Sequence, residues 1–324
     1  MTDVAIVGAT GAVGKEMIRC LSNGLFPVKQ LFLFASSSSS PNVEKFSVSA
    51  VVASGAKIVF LAVNSDFSLQ FAPLLVQAGC FVIDNSSAFR AHLEVPLVVP
   101  EINPEQVSSI KKTERGIIAN PNCTTAILAM ALFPLHKKFH LKTLICSTYQ
   151  AASGAGDPGI KELELASKAR WTENFSFKPS VFSHDLSCNV IPLIDALDSR
   201  GSGYTLEELK MVNETRKIFQ DSKIEISCTA VRVPTLRAHC VSASARFREP
   251  VSVAEVQETL RNAEGVKLCE IPTPETASNV FDVFVGRIRQ SLVFKENGID
   301  LFVAGDQLLR GAALNAVLIA LLLI

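Results

Sequence analysis

The run "VAIVGATGAVG", residues 4–14, is the feature that most narrows what this chain can become. Four apolar residues read as a short buried strand, and Gly8, Gly11 and Gly14 follow before helical spacing sets in over "GKEMIRCLSN" (14–23). Glycine lets a backbone turn sharply and approach a diphosphate, whose charge then meets the unpaired N–H groups that open a helix. The spacing G-x-x-G-x-x-G is a variant of the dinucleotide fingerprint, and its place after the first strand of an alternating series gives it weight. That series continues with "QLFLF" (30–34), "KIVFLAV" (57–63) and "CFVID" (80–84) as strands and "SLQFAPLLVQAG" (68–79) as a helix ended by Gly79. Apolar strands alternating with helices imply a parallel sheet covered on both faces, hence an α/β, Rossmann-type dinucleotide-binding domain.

Beyond residue 140 the texture changes. Longer, more alternating strands are expected at "KTLICSTYQ" (142–150), "EISCTAVRVP" (225–234), "HCVSASARF" (239–247) and "FDVFVGRI" (281–288). "TLEE" (205–208) and "SVAE" (252–255) fit the capping box, in which Ser or Thr and a Glu three residues on satisfy orphan N–H groups. These segments predict a second, α+β domain with a mixed sheet, and 324 residues are more than one core usually serves. The expected division is 1–122 plus about 305–324 for dinucleotide binding and about 123–304 for catalysis and dimerisation. The apolar end (about 308–324) is expected to return as a buried helix over the first domain, being too short for the roughly 20 residues a membrane span needs.

Lys+Arg and Asp+Glu both total 31, so no net field recruits nucleic acid or an anionic membrane. The opening lacks a basic leader, and the 8 cysteines include no C-x-x-C pair or zinc spacing. Reduced thiols in a cytoplasm, with no metal, are the expectation. His136 and His140, spaced i,i+4 around two lysines, read as a solvated helix end.

One cysteine stands apart. "NPNCTT" (120–125) puts Cys123 among small polar residues where a helix begins. There a thiolate feels the positive end of the helix dipole, and the same N–H groups can hold an oxyanion. His239, heading a strand after "RVPTLRA", is the leading proton partner among few histidines. As for the cofactor, "QLFLF" runs into Ala35, Ser36, Ser37 and Ser38 with no carboxylate until Glu44. An acid there would select NAD through the ribose diol; hydroxyls tolerate a 2′-phosphate, so NADP is favoured, with NAD possible.

Taken together, "GATGAVG", "DNSSAFR", "VPEIN", "NPNCTT", "STYQAASGAG", "LKMVNETRKI", "RVPTLRAH", "VGRI" and "LLRGAA" resemble, in this order, the aspartate-semialdehyde dehydrogenases, over essentially the whole chain. The resemblance implies NADPH-dependent reductive dephosphorylation of L-aspartyl 4-phosphate by a cytoplasmic homodimer, in lysine/diaminopimelate, threonine and methionine biosynthesis. It implies Cys123 as nucleophile, Gln150 as substrate-orienting residue, His239 as acid/base, and Asn122 as support for the thiolate. Arg232 and Glu207 would hold the α-carboxylate and amine, Arg90 and Lys210 the phosphate. Gly8, Thr10, Gly11, Ala12, Val13, Gly14, Ser36, Ser37, Ser153, Gly154 and Gln307 would contact the cofactor, the last near the nicotinamide. The chain departs from the family's pattern in three places: "SSSSSPN" replaces a basic loop, "AVNSD" (62–66) lacks a glycine pair, and Gln307 replaces an asparagine. N-acetylglutamyl-phosphate reductase, a coenzyme A-dependent acylating dehydrogenase and a non-catalytic nucleotide-binding paralogue are the alternatives. Asn122 before the cysteine, where the first usually has glycine, the phosphate-suited pair Arg90 and Lys210, and the retained Cys123, Gln150, Arg232 and His239 argue against them in turn.

Overall fold

The computed structural model describes residues 1–37, 42–172 and 176–324. They form two compact units, Met1–Asn122 with Gly311–Ile324, and Cys123–Arg310. Ser38 and the remainder of the serine run up to residue 40 lie outside the described residues.

In the first unit β1 (Thr2–Val7), β2 (Val28–Ala35), β3 (Glu44–Lys45), β4 (Ile58–Leu61), β5 (Phe81–Asp84) and β6 (Gly116–Ala119) form one sheet in the order β3-β2-β1-β4-β5-β6. All of its pairings are parallel. This is the doubly wound order, in which ligands bind where the winding reverses, here beyond the carboxyl ends of β1 and β4. Helices α1 (Ala12–Ser22), α2 (Val48–Ala53), α3 (Ser65–Gln77) and α4 (Ser108–Thr113) connect the strands. Buried on both faces, β4 and β5 are apolar at every position but Asp84.

Backbone sterics explain the glycines. Gly8 has φ +90°, and a Cβ there would fall inside the Ala62 carbonyl oxygen; one on Gly14 would strike the Gly8 carbonyl oxygen. Gly8 therefore seats the β1 turn against the end of β4, and Gly14 lets α1 pack on that turn. The "AVNSD" departure also has a local job: Asn64 caps α3, its side chain accepting the Phe67 N–H at 2.9 Å.

The terminal segment differs from one continuous helix over about 308–324. A π-helical turn, Leu309–Ala313, precedes an α-helix over only Leu314–Leu321. The chain returns to the first unit at Gly311, later than the expected 305. Residues 306–310 stay with the second unit because Asp306 pairs with Arg237 at 2.6 Å and Gln307 accepts the Ala238 N–H at 2.7 Å. Inside the first unit the terminal helix is tied to the sheet through buried Asn315, whose Nδ2 donates to Val98 O (2.9 Å) and Asn120 Oδ1 (2.6 Å). No helix among the described residues is long and apolar enough to cross a membrane.

The second unit opens with α5 (Cys123–Phe139) and contains β7 (Leu141–Gln150), α6 (Gly156–Trp171), α7 (Leu206–Phe219), β8 (Glu225–Arg232), β9 (His239–Phe247), α8 (Val253–Arg261), β10 (Val266–Leu268), α9 (Pro274–Ala277), β11 (Val283–Ser291) and β12 (Lys295–Gly305). Its sheet runs β10-β11-β12-β9-β7-β8, with parallel pairs at both edges and antiparallel pairs between them. Both expected capping boxes form, at Thr205 with Glu208 and at Ser252 with Glu255. His136 does not read as solvated: it is half-buried, with its ring 5.1 Å from that of Phe219, and burial holds its pKa below the usual range.

Candidate active site

The first unit presents a helix start shaped for a diphosphate. α1 begins after Gly11, which offers no side-chain cap, and neither Gly8 in the turn before it nor Gly14 in its first turn has room for a Cβ. Thr10 and Gly11 are exposed, Ala12 and Val13 half-buried, so this turn faces outward. A dinucleotide's pyrophosphate fits such a cradle. At the end of β2, Ser36 and Ser37 are exposed. Beside them the two-residue strand β3 aligns Glu44 with Phe34 and Lys45 with Ala35, both side chains exposed. Sequence distance hid this: Lys45 lies ten positions beyond Ala35, and only the ladder makes them neighbours.

Arg90 is delivered by the "DNSSAFR" loop. Buried Asp84 organises that loop, accepting from Ser68 Oγ (2.7 Å), Ser86 N (3.0 Å) and Ser86 Oγ (2.8 Å). Arg90 Nε then donates to Asn120 O and Nη2 to Asn85 O, both at 2.8 Å. Two backbone acceptors fix the guanidinium plane. Asn122, which ends this unit's first segment, is buried.

In the second unit Cys123 is the first residue of α5 and is half-buried, with its Sγ 3.9 Å from Thr124 Oγ1. Four other thiols are shifted. Burial pushes those of Cys80, Cys269 and Cys240 up, the last to about 12; a hydrogen bond with Cys146 and burial raise that of Cys228.

The parallel pairing of β7 with β8 sets Gln150 beside Arg232, and the turn after β7 completes the cluster. Arg232 is buried and its Nη1 donates to Ala151 O at 2.7 Å. Burial pushes its pKa down, opposed by the charges of Cys123 and Glu207. His239, fully buried at the head of β9, accepts the Ala151 N–H on Nδ1 at 3.0 Å. A ring that accepts on Nδ1 carries its proton on Nε2 when neutral. Nε2 finds no protein partner among the described residues. Burial, then the Arg232 charge, push the imidazole pKa down to about 3, so the ring is neutral at physiological pH.

Gly154 packs closely over both groups. It is exposed, and a Cβ there would fall on Arg232 Nη1 and within 3.2 Å of His239 Nε2. Any side chain would collide with Arg232 and crowd His239. Gln150, also buried, donates to Glu207 Oε1 at 3.3 Å, while Lys210 Nζ lies 3.3 Å from Glu207 Oε2 and 2.7 Å from Asp195 Oδ2. Asp195 was not singled out in the sequence; its φ of +69° is the unusual feature that the structure reveals. Burial pushes its carboxyl pKa up, but the Lys210 ammonium and the Ala196 N–H outweigh this and hold it low. Gln307 has both amide ends engaged, accepting the Ala238 N–H and donating to Ser153 Oγ. A cavity of about 330 Å³ lies beside Arg232, walled by Val181, Phe182, Ile191, Leu193 and Ile194, with Asp195 also lining it.

The chain thus joins a parallel, doubly wound sheet of the dinucleotide-binding kind in one unit to a mixed sheet bearing this polar cluster in the other. Residues 3–110 match the family model described as "Semialdehyde dehydrogenase, NAD binding domain", and residues 132–310 the one described as "Semialdehyde dehydrogenase, dimerisation domain". The aspartate-semialdehyde dehydrogenase of Aquifex aeolicus (strain VF5) is 42% identical, covering 99% of this chain and 97% of its own. That of Synechocystis sp. (strain ATCC 27184 / PCC 6803 / Kazusa) gives the same values. The crystal structure of aspartate semialdehyde dehydrogenase II from Vibrio cholerae, complexed with ASA, superposes with a TM-score of 0.92 at 37% identity, covering 100% of this chain and 98% of that one. The chain belongs to the aspartate-semialdehyde dehydrogenase family.

Proposed function

We propose that the protein carries out NADPH-dependent reductive dephosphorylation of L-aspartyl 4-phosphate to L-aspartate 4-semialdehyde, through a thioacyl intermediate on Cys123. The observation that carries this reading is the buried pair Arg232 and His239, brought together beneath Gly154 with the histidine Nε2 given no protein partner among the described residues, in the same unit as a cysteine at a helix start.

Arg232 grips the substrate's α-carboxylate and Glu207 its ammonium group, a fork and a counter-charge suited to an amino acid. Lys210 and Arg90 take the phosphate. Attack by the Cys123 thiolate on the acyl carbon forms the C–S bond, breaks the C–O bond and releases phosphate. Gln150, held by Glu207, orients the carbonyl. When bound, the reduced nicotinamide supplies a hydride. Collapse of the tetrahedral oxyanion to the aldehyde then expels the thiolate without net proton uptake. His239 therefore has only to donate its Nε2–H to the oxyanion, a narrower role than the acid/base one that the resemblance implies. Asn122 braces the start of the cysteine helix. Gly8 to Gly14 would hold the diphosphate, while Gln307 sets Ser153 for the nicotinamide side. A homodimer through the second unit is supported by its dimerisation-domain match and by Ile145 and Tyr149 exposed on β7.

The test runs the reaction in reverse. Reduction of NADP is expected with aspartate semialdehyde only when inorganic phosphate is present, and not with N-acetylglutamate semialdehyde. Phosphate-independent turnover, or preference for the second aldehyde, would overturn the reading. Cofactor choice has its own test at β3. With Lys45 beside the end of β2 as the cation for a 2′-phosphate, Lys45→Ala is expected to weaken NADP binding about fivefold, a surface-scale charge contact, and to leave NAD unchanged. Equal loss for both nucleotides, measured by fluorescence titration, would remove Lys45 from that role.

A further inference from the structure

One wall of the cavity beside Arg232 is set by a side chain outside the chemistry. Glu162 on α6 is only 7% exposed and accepts four hydrogen bonds from a single short stretch. Its donors are Ser180 N (2.6 Å), Val181 N (2.6 Å), Phe182 N (2.9 Å) and Ser180 Oγ (2.8 Å). Burial pushes the Glu162 carboxyl up, but the N–H groups of Phe182, Ser180 and Val181 outweigh it and hold it below the usual range. Three consecutive N–H groups turned onto one carboxylate leave that backbone little freedom.

What this anchor presents is the Phe182 ring. Its centroid lies 5.8 Å from Arg232 Cζ, in range for a cation–aromatic contact. Its far edge comes within 3.1 Å of where a Cβ on Gly159 would stand, so α6 supplies both the anchor and the room for the ring. Ala151 O already holds one nitrogen of the same guanidinium. Ring and carbonyl together restrict which way the remaining N–H donors face.

We propose that Glu162 is a positioning residue for substrate binding: by clamping residues 180–182 it seats Phe182 against Arg232 and so aims the guanidinium at the substrate carboxylate. The proposal rests on Arg232 binding that carboxylate, as read above. Substrate grip, not chemistry, depends on it.

Steady-state kinetics of Glu162→Gln, Phe182→Leu and Arg232→Lys, run in the reverse direction, test it. The amide of Glu162→Gln brings a donor against three donors and frees the stretch; Phe182→Leu keeps an apolar filler but removes the ring. In both, KM for aspartate semialdehyde is expected to rise about tenfold, with kcat and the phosphate KM within about twofold. A merely structural anchor would instead loosen kcat and both KM values together, and that pattern overturns the proposal. So does an unchanged semialdehyde KM in Phe182→Leu, which decides alone if Glu162→Gln does not fold. Arg232→Lys separates the two levels: an unchanged semialdehyde KM there removes the carboxylate reading itself and the proposal with it. A raised value there with the other two variants unchanged removes only the role of Glu162.

Discussion

Cys123→Ala is expected to lower kcat roughly ten-thousand-fold or more while nucleotide affinity stays as it is. Alanine keeps the helix start and its backbone donors, and removes only the sulfur that would carry the acyl group. The glycine turn lies in the other unit and does not use this side chain, so fluorescence titration with NADP should read unchanged. Thiol chemistry gives an independent check. Cys80, Cys228, Cys240 and Cys269 are all pushed up, so their thiolates are scarce at neutral pH, whereas Cys123 is half-buried at a helix start. Iodoacetamide should label Cys123 fastest, and substrate should protect it. Turnover near the parent rate in Cys123→Ala would overturn the thioacyl mechanism.

His239→Ala is expected to lower kcat by about 10²–10³-fold, the range for losing one oxyanion donor. His239→Gln, which returns an N–H donor near the Nε2 position, should recover part of that loss. The pH profile distinguishes donor from proton carrier. Because burial and the Arg232 charge hold the imidazole near 3, its neutral form persists from above that pH through the whole working range. Protonation would gain ground only as pH falls towards 3, so His239 supplies no limb between pH 5 and 8. The kcat profile of His239→Ala should therefore keep the parent's shape, merely lowered. Loss of an ionisation near neutrality on replacing His239 would restore the acid/base role and sink the donor role.

Much of the fold was legible because it follows from short-range rules. Strand-length apolar runs between amphipathic helices predict a parallel sheet, and β1, β2, β4 and β5 stand where those runs do. Capping boxes at Thr205 and Ser252 need only residues three apart. Less was legible at the C-terminus, where a hydropathic run shows apolar character but not the π-helical turn at Leu309–Ala313 or how far residues 306–310 are bound elsewhere by Asp306 and Gln307. His136 misled for a related reason: flanking lysines signal solvent, yet Phe219 arrives from a helix far along the chain.

Local pattern alone determined that this chain would hold a glycine turn before a helix, a cysteine at a second helix start, and two differently wound sheets. Those features depend on backbone sterics and on spacing over a few residues, which any copy of the sequence carries with it. Tertiary structure decided the rest: that Lys45 lies beside Ala35, that Gly154 packs against Arg232 and His239 where no Cβ would fit, and that His239 is neutral with its proton on Nε2. Each of these is set by burial and by partners distant in sequence, and a charge or proton takes its state from such surroundings, not from its neighbours along the chain.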